Sequence, residues 1–213
     1  IAAAALLLLM AVTPAFAIDS IKMTVTPSEL KNDAFYDGTS VSVSGTAPSD
    51  SQVVLRFLGA TCDLHMKERG KVFGIMWMNL DSLIFKNVPS VCLVSSAVDL
   101  ESLGGSGDGS AIKGLGLSGI KDSARVDSKG IDRKTALEEL LRLKQGEGLY
   151  RETVGNVTYG SATGAARAFT ATIPIPSRLT PGDYLVEAAA ISNGQIVARS
   201  QQPVTVTLVG FPA

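Results

Sequence analysis

Apolar and polar residues alternate along most of this chain with a period of two, the spacing of a half-buried β-strand. In Ile21-Lys22-Met23-Thr24-Val25-Thr26 the apolar side chains fall on one face, and Pro27 closes the run. Residues 39–45 alternate again, with Val41 and Val43 on one face. Residues 53–58 predict a third strand and residues 71–78 a fourth. Residues 82–85 predict a fifth after a turn at Asn79-Leu80-Asp81, and residues 91–95 follow Pro89 as a sixth. Short runs with turn signals every ten residues or so predict a mainly β chain, an immunoglobulin-like β-sandwich or a barrel.

The pattern changes over residues 99–150, which read as an insertion across one end of the sandwich. Gly104-Gly105-Ser106-Gly107-Asp108-Gly109 has the composition of a flexible loop. The helix predicted over 132–142 carries Ile131, Leu137, Leu140 and Leu141 on one stripe, with Asp132 as N-cap and Gly146 as stop.

Residues 150–209 return to strands. Pro181-Gly182-Asp183-Tyr184 puts a tyrosine just after a Pro-Gly turn, at the start of an alternating run. This is the pattern of a tyrosine corner, so Tyr184 is expected to be buried with its hydroxyl bonded to backbone between residues 178 and 182. Asn193-Gly194 then predicts a two-residue hairpin, because both central residues of a type I′ turn need positive φ. Pro203 places the next strand at an edge or a bulge.

Residues 1–17 carry no charge. The apolar run 2–12 and the small-x-small box Ala15-Phe16-Ala17 read as the back half of a secretory signal peptide. The run is short of the roughly 20 residues a membrane span needs. A single exported domain over 18–213 is expected, in a compartment where thiols tend to oxidise.

Composition narrows the chemistry. With 19 Lys+Arg against 20 Asp+Glu the net charge is −1, so no basic surplus favours nucleic acid. His65 is the one histidine, which excludes three-histidine zinc and blue copper within the chain. Two cysteines exclude a disulfide-rich scaffold and a four-cysteine metal site. At 46% hydrophobic and 18% charged the full sequence reads as folded.

Several small patterns deserve a chemical test. Gly114-Leu115-Gly116-Leu117-Ser118-Gly119 matches the dinucleotide fingerprint, but a Gly/Ser run precedes it where a strand should stand, so a loop is predicted. Cys62 and Cys92 bracket Trp77, yet the antibody arrangement would need a cysteine at Val186. A Cys62–Cys92 disulfide closing a loop of about 30 residues, and two free thiols, both fit the spacing. Cys62, His65 and Met66, with Met76 and Met78 nearby, are soft ligands of the kind that hold Cu(I); the alternative places the methionines in the core and His65 on a turn. No Gly-x-Ser-x-Gly occurs, and Asp63 and Glu68 flank an expected loop. Asn156-Val157-Thr158 is a glycosylation sequon. No catalytic, cofactor-binding or metal-binding residue is assigned. Ile75 and Trp77 alternate with Met76 and Met78, so both faces of that strand are apolar. The stripe of Leu137, Leu140 and Leu141 is expected to cover one of them; a partner-binding patch is the alternative.

Val41-Ser42-Val43-Ser44-Gly45, Gly74-Ile75-Met76-Trp77-Met78-Asn79 and Asn87-Val88-Pro89-Ser90 occur in that order. Leu141-Arg142-Leu143-Lys144-Gln145, Gly148-Leu149-Tyr150-Arg151-Glu152 and Pro181-Gly182-Asp183-Tyr184-Leu185-Val186 follow. With these motifs the chain resembles the bacterial Alph_Pro_TM-type family of putative transmembrane proteins. The resemblance implies a signal peptide, an exported domain and a C-terminal membrane helix that would begin about where residues 209–213 end. It brings no catalytic residues. The function expected is a non-enzymatic envelope domain on the periplasmic side of the inner membrane, serving a membrane protein or transport complex. A periplasmic Cu(I)-handling module is the alternative.

Overall fold

The computed structural model describes residues 21–32, 38–72, 76–104, 109–127 and 132–209, without the side chains of 68–72 and 76–81. The apolar run 2–12 with its Ala15-Phe16-Ala17 box, positions 105–108 of the Gly-rich run, Ile131 and the chain end 210–213 lie outside the described residues. So do the side chains of Met76, Trp77 and Met78, and with them the expected helical cover of that strand.

The chain is mainly β, and its described residues form three sheets. In the first, β1 (Lys22–Thr26), β3 (Thr39–Pro48), β11 (Ala166–Ile175) and β10 (Val157–Thr163) pair antiparallel in the order β1-β3-β11-β10. The second contains β2 (Glu29–Asn32), β13 (Gln195–Leu208), β12 (Gly182–Ser192), β4 (Gln52–Gly59), β7 (Cys92–Ser96) and β9 (Tyr150–Val154), in that order. Its outer strands run parallel to their neighbours, β2 to β13 and β9 to β7.

Alternation explains how these two sheets share a core. Val41 and Val43 of β3 and Phe169 and Ile173 of β11 are buried in one cluster with Leu55 and Phe57 of β4 and Val186 and Ala188 of β12. A polar tie joins the sheets where the Val53 N–H donates to the Tyr159 hydroxyl at 2.8 Å. Tyr184 is buried, and its hydroxyl donates to the Thr180 carbonyl at 2.6 Å, inside the span expected of a tyrosine corner. Asn193 (φ 50°) and Gly194 (φ 76°) join β12 to β13 with Ser192 opposite Gln195, as the type I′ signal predicts. Strand β2 meets β13 only from Thr205 to Leu208. Pro203 therefore stands on a stretch paired on one side only among the described residues, where a missing N–H is tolerated.

The third sheet corrects the expectation for residues 71–78. Strand β5 (Thr61–Val72) ends before position 73 and β6 (Met76–Pro89) starts after position 75. Lys71 pairs with Trp77 and Val72 with Met76, so the chain reverses inside the predicted strand. Asn79-Leu80-Asp81 lies within β6 instead of forming a turn. A period-two pattern has no direction, and a hairpin with two apolar arms reads as one continuous run. Strand β8 (Arg125–Asp127) adds to β6 beside Ile84–Lys86.

Among the described residues four helices occur, all between β7 and β9: α1 (Leu100–Leu103), α2 (Ser110–Lys113), α3 (Leu117–Ser123) and α4 (Arg133–Gly146). Only α4 is long enough to show a helical period. The Asp132 carboxylate caps it, accepting from the N–H groups of Lys134 (3.1 Å) and Thr135 (3.3 Å). Leu137, Leu140 and Leu141 are buried, as their stripe predicts. The stop is Gly148, at φ 73°, and not Gly146, which is the last helical residue. Helix α4 packs on α3, β8 and β9.

Candidate functional site

The helices cover the face of the six-stranded sheet that turns away from the shared core. Since Leu55 and Phe57 point into that core, Arg56 and Leu58 point the other way. Arg56 is the cross-strand partner of Glu187, which is 2% exposed. The Arg56 guanidinium donates to Glu187 Oε2 from Nε at 3.1 Å and from Nη2, and Arg199 Nη1 donates to Oε1 at 2.7 Å. A carboxylate buried this far needs such pairing to stay charged. Two guanidinium groups against one carboxylate leave the cluster with a net positive charge. Arg56 Nη1 also reaches the Gly114 carbonyl at 3.4 Å, which ties the end of α2 to the sheet.

The glycine run 114–119 is ordered, which corrects the loop expectation. Gly114 closes α2, Gly116 precedes α3, and Gly119 lies inside α3. A Cβ at Gly119 would stand 2.4 Å from the Gly114 carbonyl oxygen. One at Gly116 would stand 2.6 Å from Glu152 Oε1 and 2.9 Å from Leu100 Cδ1. Close backbone packing thus requires the glycine at 119, whereas at 116 the near atoms are side-chain ends. The Leu117 N–H, placed where a dinucleotide fold would meet pyrophosphate, donates instead to the Glu152 carboxylate from β9.

The candidate site lies where the arm of β5 and β6 leaves the body. Bonds from Gly59 N–H to Val91 O (3.0 Å) and from Ser90 N–H to Ala60 O (2.9 Å) carry the β4–β7 pairing into β5–β6. Cys62 then faces Val88 and Leu64 faces Phe85, so Asp63 alone opposes Lys86 and Asn87. This is a bulge, and Asn87 sits in it at φ 61°, a left-handed conformation for a residue with a side chain. Two hollows meet here. An open cleft of about 630 Å³ is lined by Thr61, Cys62, Asp63, Lys86 and Asn87 from the arm, closed by Ser123 and Arg125. A smaller cavity of about 190 Å³ shares Thr61, Asn87 and Ser123 and reaches Arg56 and Cys92.

Both cysteines are free thiols: Cys62 is exposed and Cys92 is buried, so the disulfide alternative is not formed. Burial pushes the Cys92 thiol up to about 12. Tyr150, on the neighbouring strand, donates its hydroxyl to the Pro89 carbonyl at 2.6 Å, and burial raises its phenol pKa. Lys86 bonds Asp127 at 2.7 Å, and that hydrogen bond raises the ammonium pKa.

The soft-ligand set does not assemble in the described part of the arm. His65 lies in β5 and not on a turn. His65 is exposed while Met66, next along the strand, packs toward the core on the opposite face. Asp63 likewise belongs to β5 instead of a loop, as does the backbone of Glu68. Among the described residues no group of three or more His, Cys, Asp or Glu side chains could hold a metal ion. The sequon nitrogen of Asn156 donates to the Thr172 carbonyl at 2.5 Å. Sequence reasoning missed the Arg56–Glu187–Arg199 cluster. The available signal was a lone glutamate inside the apolar run Leu185-Val186-Glu187-Ala188-Ala189.

A family model described as putative transmembrane protein (Alph_Pro_TM) matches residues 20–213. No curated protein matches the chain. Among the described residues no helix is long and apolar enough to cross a membrane.

Proposed function

The chain belongs to the Alph_Pro_TM family of putative transmembrane proteins, and from that premise we propose a non-enzymatic, membrane-tethered envelope domain that serves a membrane-protein or transport partner. Export to the periplasmic side of the inner membrane is part of this proposal. It is supported by the uncharged, apolar start of the chain and its Ala15-Phe16-Ala17 box. An immunoglobulin-like sandwich is the fold proposed for the body. The strand order β1-β3-β11-β10 against β13-β12-β4-β7 supports it, with β2 running parallel to β13 and the Tyr184 corner at the start of β12.

The observation that carries the proposal is the arm. Strands of 12 and 14 residues stand where a sandwich needs only a turn between β4 and β7. Twelve residues extend roughly 40 Å. Beyond Ile84–Lys86, where β8 adds, β5 and β6 pair only with each other among the described residues. A two-stranded ribbon is marginal alone, and a partner that packs on it supplies the missing contacts.

Met66 and Leu83 are cross-strand partners. Replacing residues 67–82 by Asn-Gly therefore joins them through a two-residue hairpin turn. The full-length protein is expected to bring a membrane partner out of detergent extracts, and the short-arm variant to lose it. Recovery of a soluble, partner-free monomer from native membranes would overturn the reading.

A further inference from the structure

We propose that the cleft at the root of the arm binds a small oxyanion group, a carboxylate, sulfate or phosphate, with the Arg125 guanidinium as its principal contact. Three independent features converge there. First, Lys86 of β6 and Arg125 of β8 are direct cross-strand partners, and like charges so placed repel. Lys86 is paired with Asp127, whereas Arg125 makes no ion pair and no side-chain hydrogen bond among the described residues. An anion between the two side chains turns the repulsion into attraction and uses the planar donor fork of Arg125.

Second, Asn87 is held at φ 61° inside a bulge. Bulges re-aim side chains, and a non-glycine residue kept in the left-handed region costs energy that the surroundings must offset. Asn87 lines the cleft together with Thr61 and Ser123. The Asn87 amide and the Thr61 hydroxyl are neutral donors suited to the remaining oxygens of an oxyanion, while the Ser123 hydroxyl already donates to the Ile120 carbonyl at 3.4 Å. Third, the hollow of about 630 Å³ lies in the size range of small-ligand sites. Asp63 also lines it, so the charge balance favours a group of one negative charge over a polyanion. The inference stands whether or not the arm meets a partner.

Cys62 lines the same cleft and is exposed, while Cys92 is buried, so alkylation of the native chain reports on this one place. Iodoacetamide is uncharged, and its reaction with Cys62 is followed by mass spectrometry in sodium acetate, sulfate or phosphate against sodium chloride at equal ionic strength. Amide shifts of Asn87, Ser123 and Arg125 are followed by NMR in the same series. The expected result is a slowing of Cys62 alkylation by threefold or more in at least one oxyanion, with saturating shifts at those amides. Arg125→Gln, at an exposed position, removes both effects, each read against the variant's own rate in chloride. The oxyanion that acts distinguishes a carboxylate ligand from sulfate or phosphate. Equal rates in all four salts together with unmoved amides overturn the proposal, as does protection that survives in Arg125→Gln.

Discussion

The Tyr184 hydroxyl is the one polar atom of a side chain otherwise packed in the core, where its ring stacks on Phe57 with centroids 5.2 Å apart. Thr180 supplies the acceptor. Tyr184→Phe keeps the ring and removes the donor; Thr180 is exposed, so water can reach its carbonyl, and only the net worth of the hydrogen bond, about 0.5–1.5 kcal/mol, is expected to be lost. Urea unfolding measures it, and an unchanged midpoint would mean that the corner contributes nothing. This residue was legible because Pro181-Gly182 fixes a turn just ahead of it. Cys92 was not, because cross-strand burial is invisible in a spacing. At pH 7 its thiol is protonated in the folded and unfolded chains alike and adds no pH dependence. Above about 9 the unfolded chain loses that proton first, since burial holds the folded thiol protonated up to about 12. The folded state then binds more protons, so stability falls as pH rises from 9 toward 12. Tyr150, also raised by burial, adds a second decline that starts near 10. Cys92→Ala should flatten the melting temperature against pH between 9 and 10, whatever it does to the absolute value. An equal slope in the variant would remove Cys92 from the account.

Among the elements, the α2–α3 hairpin depends on backbone contact more than on any side chain. Gly119→Ala places a methyl group against the Gly114 carbonyl, so the hairpin must open. The expected cost is about 1–3 kcal/mol, as for other overpacked sites. Gly146→Ala is the contrasting change. A Cβ there meets nothing within 4 Å, and alanine favours the helix, so a gain of about 0.5–1 kcal/mol is expected. Thermal melts of the two variants should move in opposite directions; a shift of the same sign in both would show that the contact at Gly119 is relieved at no cost. Legibility follows element length. Leu137, Leu140 and Leu141 repeat often enough to reveal α4, whereas α1 and α2 have four residues each and show no period. The cleft was half visible, through Cys62 and Asp63. Arg125, Lys86 and Asn87 meet them only after two strand pairings that no local pattern encodes.

One hydrophobic cluster joins both large sheets and the helical cover, and among the described residues the arm enters it near its root, through Leu83, Phe85 and Val88 with Leu64 and Met66 alongside. Stability should therefore be uneven. Strand β12 lies between β13 and β4, and Val186, Ala188, Ala189 and Ala190 are buried at 0–1% exposure. Its amides should exchange only when the whole domain unfolds. Strand β5 is an outer strand of its sheet, and Asp63, His65 and Lys67 are exposed. Its amides should open at a lower free energy, by local separation from β6, without disturbing the body. Native-state hydrogen exchange read by mass spectrometry separates the two. The same reasoning fixes the behaviour of the short-arm variant. Ending the hairpin at Met66 and Leu83 keeps the root contacts, so exchange in β12 should stay at its original level while the fast-exchanging amides disappear. If β5 exchanges as slowly as β12, or if shortening the arm speeds exchange in β12, the arm is part of the cooperative body, and its length is explained by stability instead of by a partner.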